Sequence, residues 1–159
     1  MKKIVIVGRG AAGKNFLMKR FEKRCFRHLV SHTTRPIRNG EKEGDEYHFV
    51  SKEEFTKMIE NNEFVEFQEF NGNYYGTSIE EWGKSDVTIL APKGVENLQK
   101  LGMRNQCFVI FLDISSEVIR KRLLERGYDE EKISERFYND LQEFLYFNDY
   151  DLRITNPNF

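Results

Sequence analysis

The chain has 159 residues, of which 39% are apolar and 32% charged, and a formal net charge of −1. That length fits one compact domain with a real core, filled in good part by 14 Phe and 7 Tyr. The near-neutral balance excludes a global pull toward nucleic acid or an anionic membrane surface.

Lys3 to Val7 is a short β-branched run, followed at once by Gly8-Arg9-Gly10-Ala11-Ala12-Gly13-Lys14-Asn15. This start reads as strand and glycine loop, not as a signal peptide or membrane span. A cytoplasmic protein is expected, with Cys25 and Cys107 as reduced thiols and no metal-binding cysteine pattern. Residues 13–24 then predict a helix with apolar positions at 17, 18 and 21, and Arg27 to Ser31 a second strand, giving β-α-β and the start of an open α/β sheet. Residues 32–46 are broken by Pro36 and two glycines. Tyr47 to Val50 is strand-like. Ser51 and Glu54 have the spacing of a capping box for a helix carrying Phe55, Met58 and Ile59 on one face. Phe64 to Phe70 alternates, and Asn71-Gly72 with Tyr74-Tyr75 continues it as a hairpin. On strict alternation Glu66 shares a face with Phe64.

A short helix near 78–84 leads into a strand from Asp86 to Ala91, closed by Pro92. Residues 94–101 are helical, and Phe108 to Leu112 forms the most apolar strand. Ser115 or Ser116 caps a helix with Val118, Ile119, Leu123 and Leu124 facing in. Arg126 to Asp129 interrupts; Ile133, Phe137, Leu141 and Phe144 carry a long helix, and Leu152 to Thr155 is a last strand.

The glycine loop fits two templates. Up to Lys14 it matches a phosphate-binding P-loop, with Asn15 where Ser or Thr is usual. It also contains Gly-x-Gly-x-x-Gly (Gly8, Gly10, Gly13), the dinucleotide fingerprint, which calls for an acid roughly 20 residues further on. The stretch Arg27 to His32 has no acid, and the dinucleotide reading gives Lys14 no role. The balance favours the P-loop, whose backbone N–H groups and helix N-terminus hold an anion while Lys14 reaches the outer phosphates. Arg35 and Arg38, three apart in a Pro-broken loop, suit a phosphate dianion. Tyr47 and Tyr75 offer phenol donors, and Glu66 could accept from a base edge. Each of these also has a plainer reading, as solvated basic loop, strand packing or solvent-facing acid.

The stretch Val30-Ser31-His32-Thr33-Thr34-Arg35-Pro36-Ile37-Arg38-Asn39-Gly40-Glu41, then Gly44, Tyr47 to Val50, Asn62 to Glu66 and Gly72 to Thr77, resembles the nucleotide-binding segment of guanylate kinases. With the P-loop before it and Arg126-Gly127 and Arg136 after it, the resemblance spans nearly the whole chain. It implies an α/β fold: a P-loop NTPase-type parallel sheet flanked by helices (core 1–30 and 86–159), with a small α+β nucleotide-binding insertion (31–85) and a short lid near 126–136. It further implies that Ser31, Arg35, Arg38, Tyr47 and Tyr75 hold the phosphate of a nucleoside monophosphate, and that Glu66 and Thr77 read the guanine edge. Gly8, Arg9, Gly10, Ala11, Ala12, Gly13, Lys14 and Asn15 would hold ATP. Lys14, Arg35, Arg126 and Arg136 would act on the transferring phosphoryl group, with Mg²⁺ as cofactor and insertion and lid closing to exclude water. The partners are small-molecule nucleotides, with no nucleic acid and no membrane.

The chain departs from that family at three places. Asn15 replaces the P-loop hydroxyl that reaches Mg²⁺, although its amide oxygen is also a hard ligand. The strand ending Leu90-Ala91-Pro92-Lys93-Gly94-Val95 lacks the two family aspartates. Asp113 could supply a carboxylate, although turning the chain into the following helix is the favoured reading, and Lys93 is either a surface lysine or a further cation near the phosphates. The chain stops at Phe159, where the family usually continues into a helix. Two alternatives therefore stand beside an active GMP or dGMP kinase: a related binding module without catalysis, and a monophosphate kinase with altered base preference.

Overall fold

The computed structural model describes residues 2–45, 47–70 and 72–159, with Phe70 described by its backbone only. Glu46 of the Pro-broken segment and Asn71 of the expected hairpin turn lie outside the described residues. In chain order the elements are β1 (Lys3–Gly8), α1 (Lys14–Glu22), β2 (Ser31–Thr33), β3 (Tyr47–Phe49), α2 (Lys52–Glu60), β4 (Phe64–Phe70), β5 (Asn73–Ser78), α3 (Ile79–Lys84), β6 (Val87–Ile89), α4 (Pro92–Lys100), β7 (Cys107–Leu112), α5 (Ser116–Glu125), α6 (Glu130–Phe144) and β8 (Leu152–Ile154). They form two compact units, one of residues 1–26 with 87–159 and one of residues 27–86.

The first unit is a parallel sheet in the order β6-β1-β7-β8. Its central strands are near-continuous apolar runs because helices bury both faces: Val5, Ile6 and Val7 of β1 and Val109 to Leu112 of β7 are all buried. Ile119 and Leu123 of α5 and Ile133 of α6 complete the same core. Leu124 and Leu141, expected to face in, are exposed. Leu124 lies about 100° round α5 from Leu123, on the solvent side of the stripe that Ile119 and Leu123 bury. Pro92 also has a different role from the one expected. It opens α4 at the first helical position instead of closing a strand, with Ala91 as N-cap, where its missing N–H costs nothing. Ser115 is the cap of α5, accepting from Val118 N–H. Cys25 is exposed and Cys107 buried, both as free thiols.

The second unit is a mixed sheet in the order β3-β2-β5-β4. The strand expected at 27–31 is displaced to Ser31–Thr33 and belongs to this sheet, running parallel to β3 and antiparallel to β5. Polar Ser, His and Thr can pair here because Thr33 is tied by its side chain, donating to Tyr74 O at 2.9 Å. The ends of the unit are clipped together: Arg27 N–H donates to Asp86 Oδ2 at 2.9 Å, and Asp86 N–H to Arg27 O at 2.7 Å. The capping box of α2 forms in full, with Ser51 and Glu54 each accepting the other's N–H. Phe55, fully buried, stacks on Phe64 at 4.5 Å and on Tyr74 at 5.4 Å.

The β4–β5 ladder carries a register shift between Phe64 and Glu66. A bulge of this kind breaks strict alternation. Phe64 and Phe67 both lie against Phe55, at 4.5 and 6.4 Å. Glu66 is therefore on the opposite face from Phe64, not on the same face.

Candidate active site

The first unit builds an anion cradle from backbone. Ala11 and Gly13 both have positive φ (60° and 107°), the kind of backbone from which anion-binding concavities are built, and Ala12 N–H closes the turn on Arg9 O at 3.2 Å. Gly13 is the N-cap of α1 and offers no side-chain acceptor. The first helical N–H groups are left for a ligand. Lys14 folds back over the loop, its Nζ donating to Gly8 O at 2.6 Å and Arg9 O at 3.0 Å. Burial lowers its pKa from 10.5 to about 8, opposed by Asp140 and Glu143 and reinforced by Arg136 and Arg126. Asn15 is exposed at the start of α1.

The loop's other side chains divide sharply. Arg9 turns away from the cradle and donates to Ser116 Oγ at 2.9 Å and to Ile114 O, so it braces the loop against the start of α5. Arg136 lies directly over Gly10; a Cβ at that position would collide with the guanidinium. The loop therefore approaches Arg136 as closely as only glycine allows. Arg136 also stacks over the Tyr128 ring at 5.8 Å. Arg126 is the exposed C-cap of α5.

Two further side chains at this loop were not among the expected site residues. Arg122 Nη1 donates to Ala11 O and Ala12 O, each at 3.1 Å, while its Nη2 donates to Pro157 O at 3.1 Å. It fixes the back of the loop to the C-terminal segment. Asp140 lines one cavity with Arg9 of the loop, is 9% exposed, and has an Oδ2 atom without any hydrogen-bond partner. Burial raises its pKa, against the pull of Arg136, Arg9 and Lys14. Helical spacing could have found both, since Arg122 precedes Arg126 by four residues and Asp140 follows Arg136 by four, each pair on one face. Asp113 pairs with Arg153 (Nε–Oδ2 2.9 Å) and Lys93 with Glu96 at 2.8 Å. Asp113 is thus committed to an ion pair at the end of β7.

The second unit gathers the other predicted residues. Arg35 makes a bidentate pair with Glu41, Nη1–Oε2 3.0 Å and Nη2–Oε1 2.8 Å, and donates to Pro36 O at 2.8 Å. Its guanidinium lies over the rings of Tyr47 and Phe49, at 5.5 and 5.6 Å. Glu41 also accepts from Arg38 N–H at 2.8 Å, which clamps the Pro36 loop into a turn. The Arg38 side chain is exposed. Tyr47 and Tyr75 pack edge to face at 5.9 Å, and Ser31 pairs with Tyr47 in the β2–β3 register. Ser31, Arg35, Tyr47 and Tyr75 are thereby brought to one neighbourhood. Burial pushes the Tyr47 phenol up, which keeps it protonated and a donor. Glu66 faces Thr77 across the ladder, and burial raises its pKa; Thr77 Oγ1 is buried with no hydrogen-bond partner. Glu41 went unnoticed in the sequence because a glutamate after Asn-Gly reads as turn solvation. Its role comes from the loop folding back on Arg35.

A family model described as guanylate kinase matches residues 1–159. The guanylate kinase of Photorhabdus laumondii is 39% identical over 137 residues, which is 82% of this chain and 66% of the relative. That of Fusobacterium nucleatum is 37% identical over 161 residues, 96% of this chain and 86% of the relative. The crystal structure of guanylate kinase from Anaplasma phagocytophilum superposes with a TM-score of 0.69 at 28% identity, covering 98% of this chain and 76% of that one.

Proposed function

The chain belongs to the guanylate kinase family, and on that premise we propose that it transfers the γ-phosphoryl group of ATP to GMP or dGMP, giving ADP and the nucleoside diphosphate. The observation that carries this reading is the pairing of a backbone anion cradle with a largely buried lysine folded over it. Such a loop has no packing reason to bury an ammonium beside two carbonyls. A phosphate that took over those hydrogen bonds would restore the charge that burial disfavours.

Phosphoryl transfer asks for positioning and for cations around spread negative charge, with little covalent work by the protein. In the first unit, Lys14 and the loop N–H groups would bind the β- and γ-phosphates, and Arg136 over Gly10 would face the transferring group. Arg126 adds positive field at Lys14. In the second unit, Arg35 uses three donor contacts on Glu41 and Pro36. A guanidinium has five N–H groups, so it can keep its tether while bonding the monophosphate. Tyr47 and Tyr75 would donate to the same phosphate, and Glu66 with Thr77 would accept from and orient the guanine edge.

Among the described residues no group of three or more His, Cys, Asp and Glu side chains gathers to hold a metal. Mg²⁺ on a nucleotide is usually bound by one or two protein oxygens together with phosphates and water. The orphaned, buried Oδ2 of Asp140 beside the loop is a hard donor of the right kind, and the Asn15 amide oxygen would be a further one. When bound, Mg²⁺ would neutralise charge on the β- and γ-phosphate oxygens.

One observation favours a second reading, a wider base range. The segment after β6 runs directly into α4 through Ala91 and Pro92 and carries no acid. The experiment is a coupled ADP-release assay with ATP, Mg²⁺ and a panel of nucleoside monophosphates. Turnover confined to guanine monophosphates supports the first reading. Comparable rates with other bases would move the assignment to the second, and no turnover by folded protein would overturn both.

A further inference from the structure

We propose that Asp140 is the carboxylate through which this chain holds the Mg²⁺ of its bound ATP complex. The inference rests on the ATP-binding reading above and adds a ligand to it. The loop has Asn15 in place of a hydroxyl, and the segment Leu90-Ala91-Pro92 after β6 has no acid. The acid at the end of β7, Asp113, is engaged by Arg153. Asp140 comes from α6, one turn after the Arg136 that lies over Gly10, and lines one cavity with Arg9 of the loop. It is nine-tenths buried, and its second oxygen has no partner.

A buried carboxylate oxygen left unpaired is costly. It persists where something absent from the bare chain completes it. The surroundings narrow what that is. Arg136, Arg9 and Lys14 all act on Asp140 electrostatically, yet Arg136 lies over Gly10 and the Tyr128 ring, Arg9 is tied to Ile114 and Ser116, and Lys14 to the Gly8 and Arg9 carbonyls, and none of them bonds Oδ2. A divalent cation arriving on the β- and γ-phosphates needs one or two such oxygens from protein.

The test is calorimetric binding of a non-hydrolysable ATP analogue to wild type, Asp140→Asn and Asp140→Ala, once with Mg²⁺ and once with EDTA. Asn keeps the shape and an oxygen acceptor but loses the anionic metal ligand. In Asp140→Asn the ratio of Kd in EDTA to Kd in Mg²⁺ is expected to fall by at least about tenfold, with metal-free affinity equal or tighter. An unchanged ratio in Asp140→Asn, with Asp140→Ala weakened equally in both buffers, would make Asp140 a support for the loop alone and overturn the proposal. If wild type binds no analogue in either buffer, the kinase reading fails and this inference with it. Wild-type binding without loss in Asp140→Asn fails the inference only.

Discussion

Replacing Lys14 by Met should remove a pH-dependent penalty from the folded state. The lysine pKa drops from 10.5 to about 8 on folding. A lowered folded pKa means that the unfolded chain binds the extra proton between those two values, so stability rises with pH across that window. Below pH 8 the penalty is fully present; above 10.5 it is gone. At 1.36 kcal/mol per unit, a shift from 10.5 to about 8 corresponds to about 3 kcal/mol. The Gly8 and Arg9 carbonyl bonds survive deprotonation, since a neutral amine still has two N–H groups. Urea denaturation of wild type and Lys14→Met at pH 7, 8, 9 and 10 isolates the effect, because other titrating groups cancel in the difference. Wild type should gain roughly 2 to 3 kcal/mol on the variant between pH 7 and 10. Saturating ATP should flatten that gain by restoring the ammonium's partner. Parallel curves would refute the claim that burial depresses the lysine pKa in the free protein.

Glu41→Gln should release Arg35 from its bidentate clamp; the KM for the monophosphate is expected to rise several-fold while the KM for ATP stays within error, measured by steady-state kinetics. Gly10→Ala places a methyl group against the Arg136 guanidinium. That is the mobile end of a side chain, so the melting temperature should hardly move while kcat drops by about tenfold or more; unchanged kcat would remove Arg136 from the reacting phosphates.

Elements governed by local rules were legible in the sequence. The Ser51/Glu54 box, the run of β-branched residues before the glycine loop and the long apolar β7 each depend on neighbours a few positions away. The loop itself is ambiguous by pattern; in the structure Ala11 and Gly13 have positive φ and Lys14 folds back over the loop carbonyls. What failed depended on partners far along the chain. Ser31–Thr33 is a strand only because β3 and β5 flank it, and a polar three-residue segment has no periodicity to declare that. The bulge at Val65 reversed the face of Glu66, since one extra residue flips every side chain beyond it. Pro92 was misjudged because proline both ends strands and opens helices, and the choice rests on Val95 and Leu98 finding the core. Arg122 and Asp140 escaped notice as ordinary charges on amphipathic helices; each is separated from its loop partner by more than a hundred residues.

Product analysis tests the central claim most directly. Folded protein incubated with ATP, Mg²⁺ and GMP should yield ADP and GDP in equal amounts on ion-exchange chromatography, with Lys14→Ala reducing both together. ADP accompanied by inorganic phosphate and no GDP, or no ADP at all, would contradict the assignment of this chain as a phosphoryl-transfer enzyme acting on guanine monophosphate.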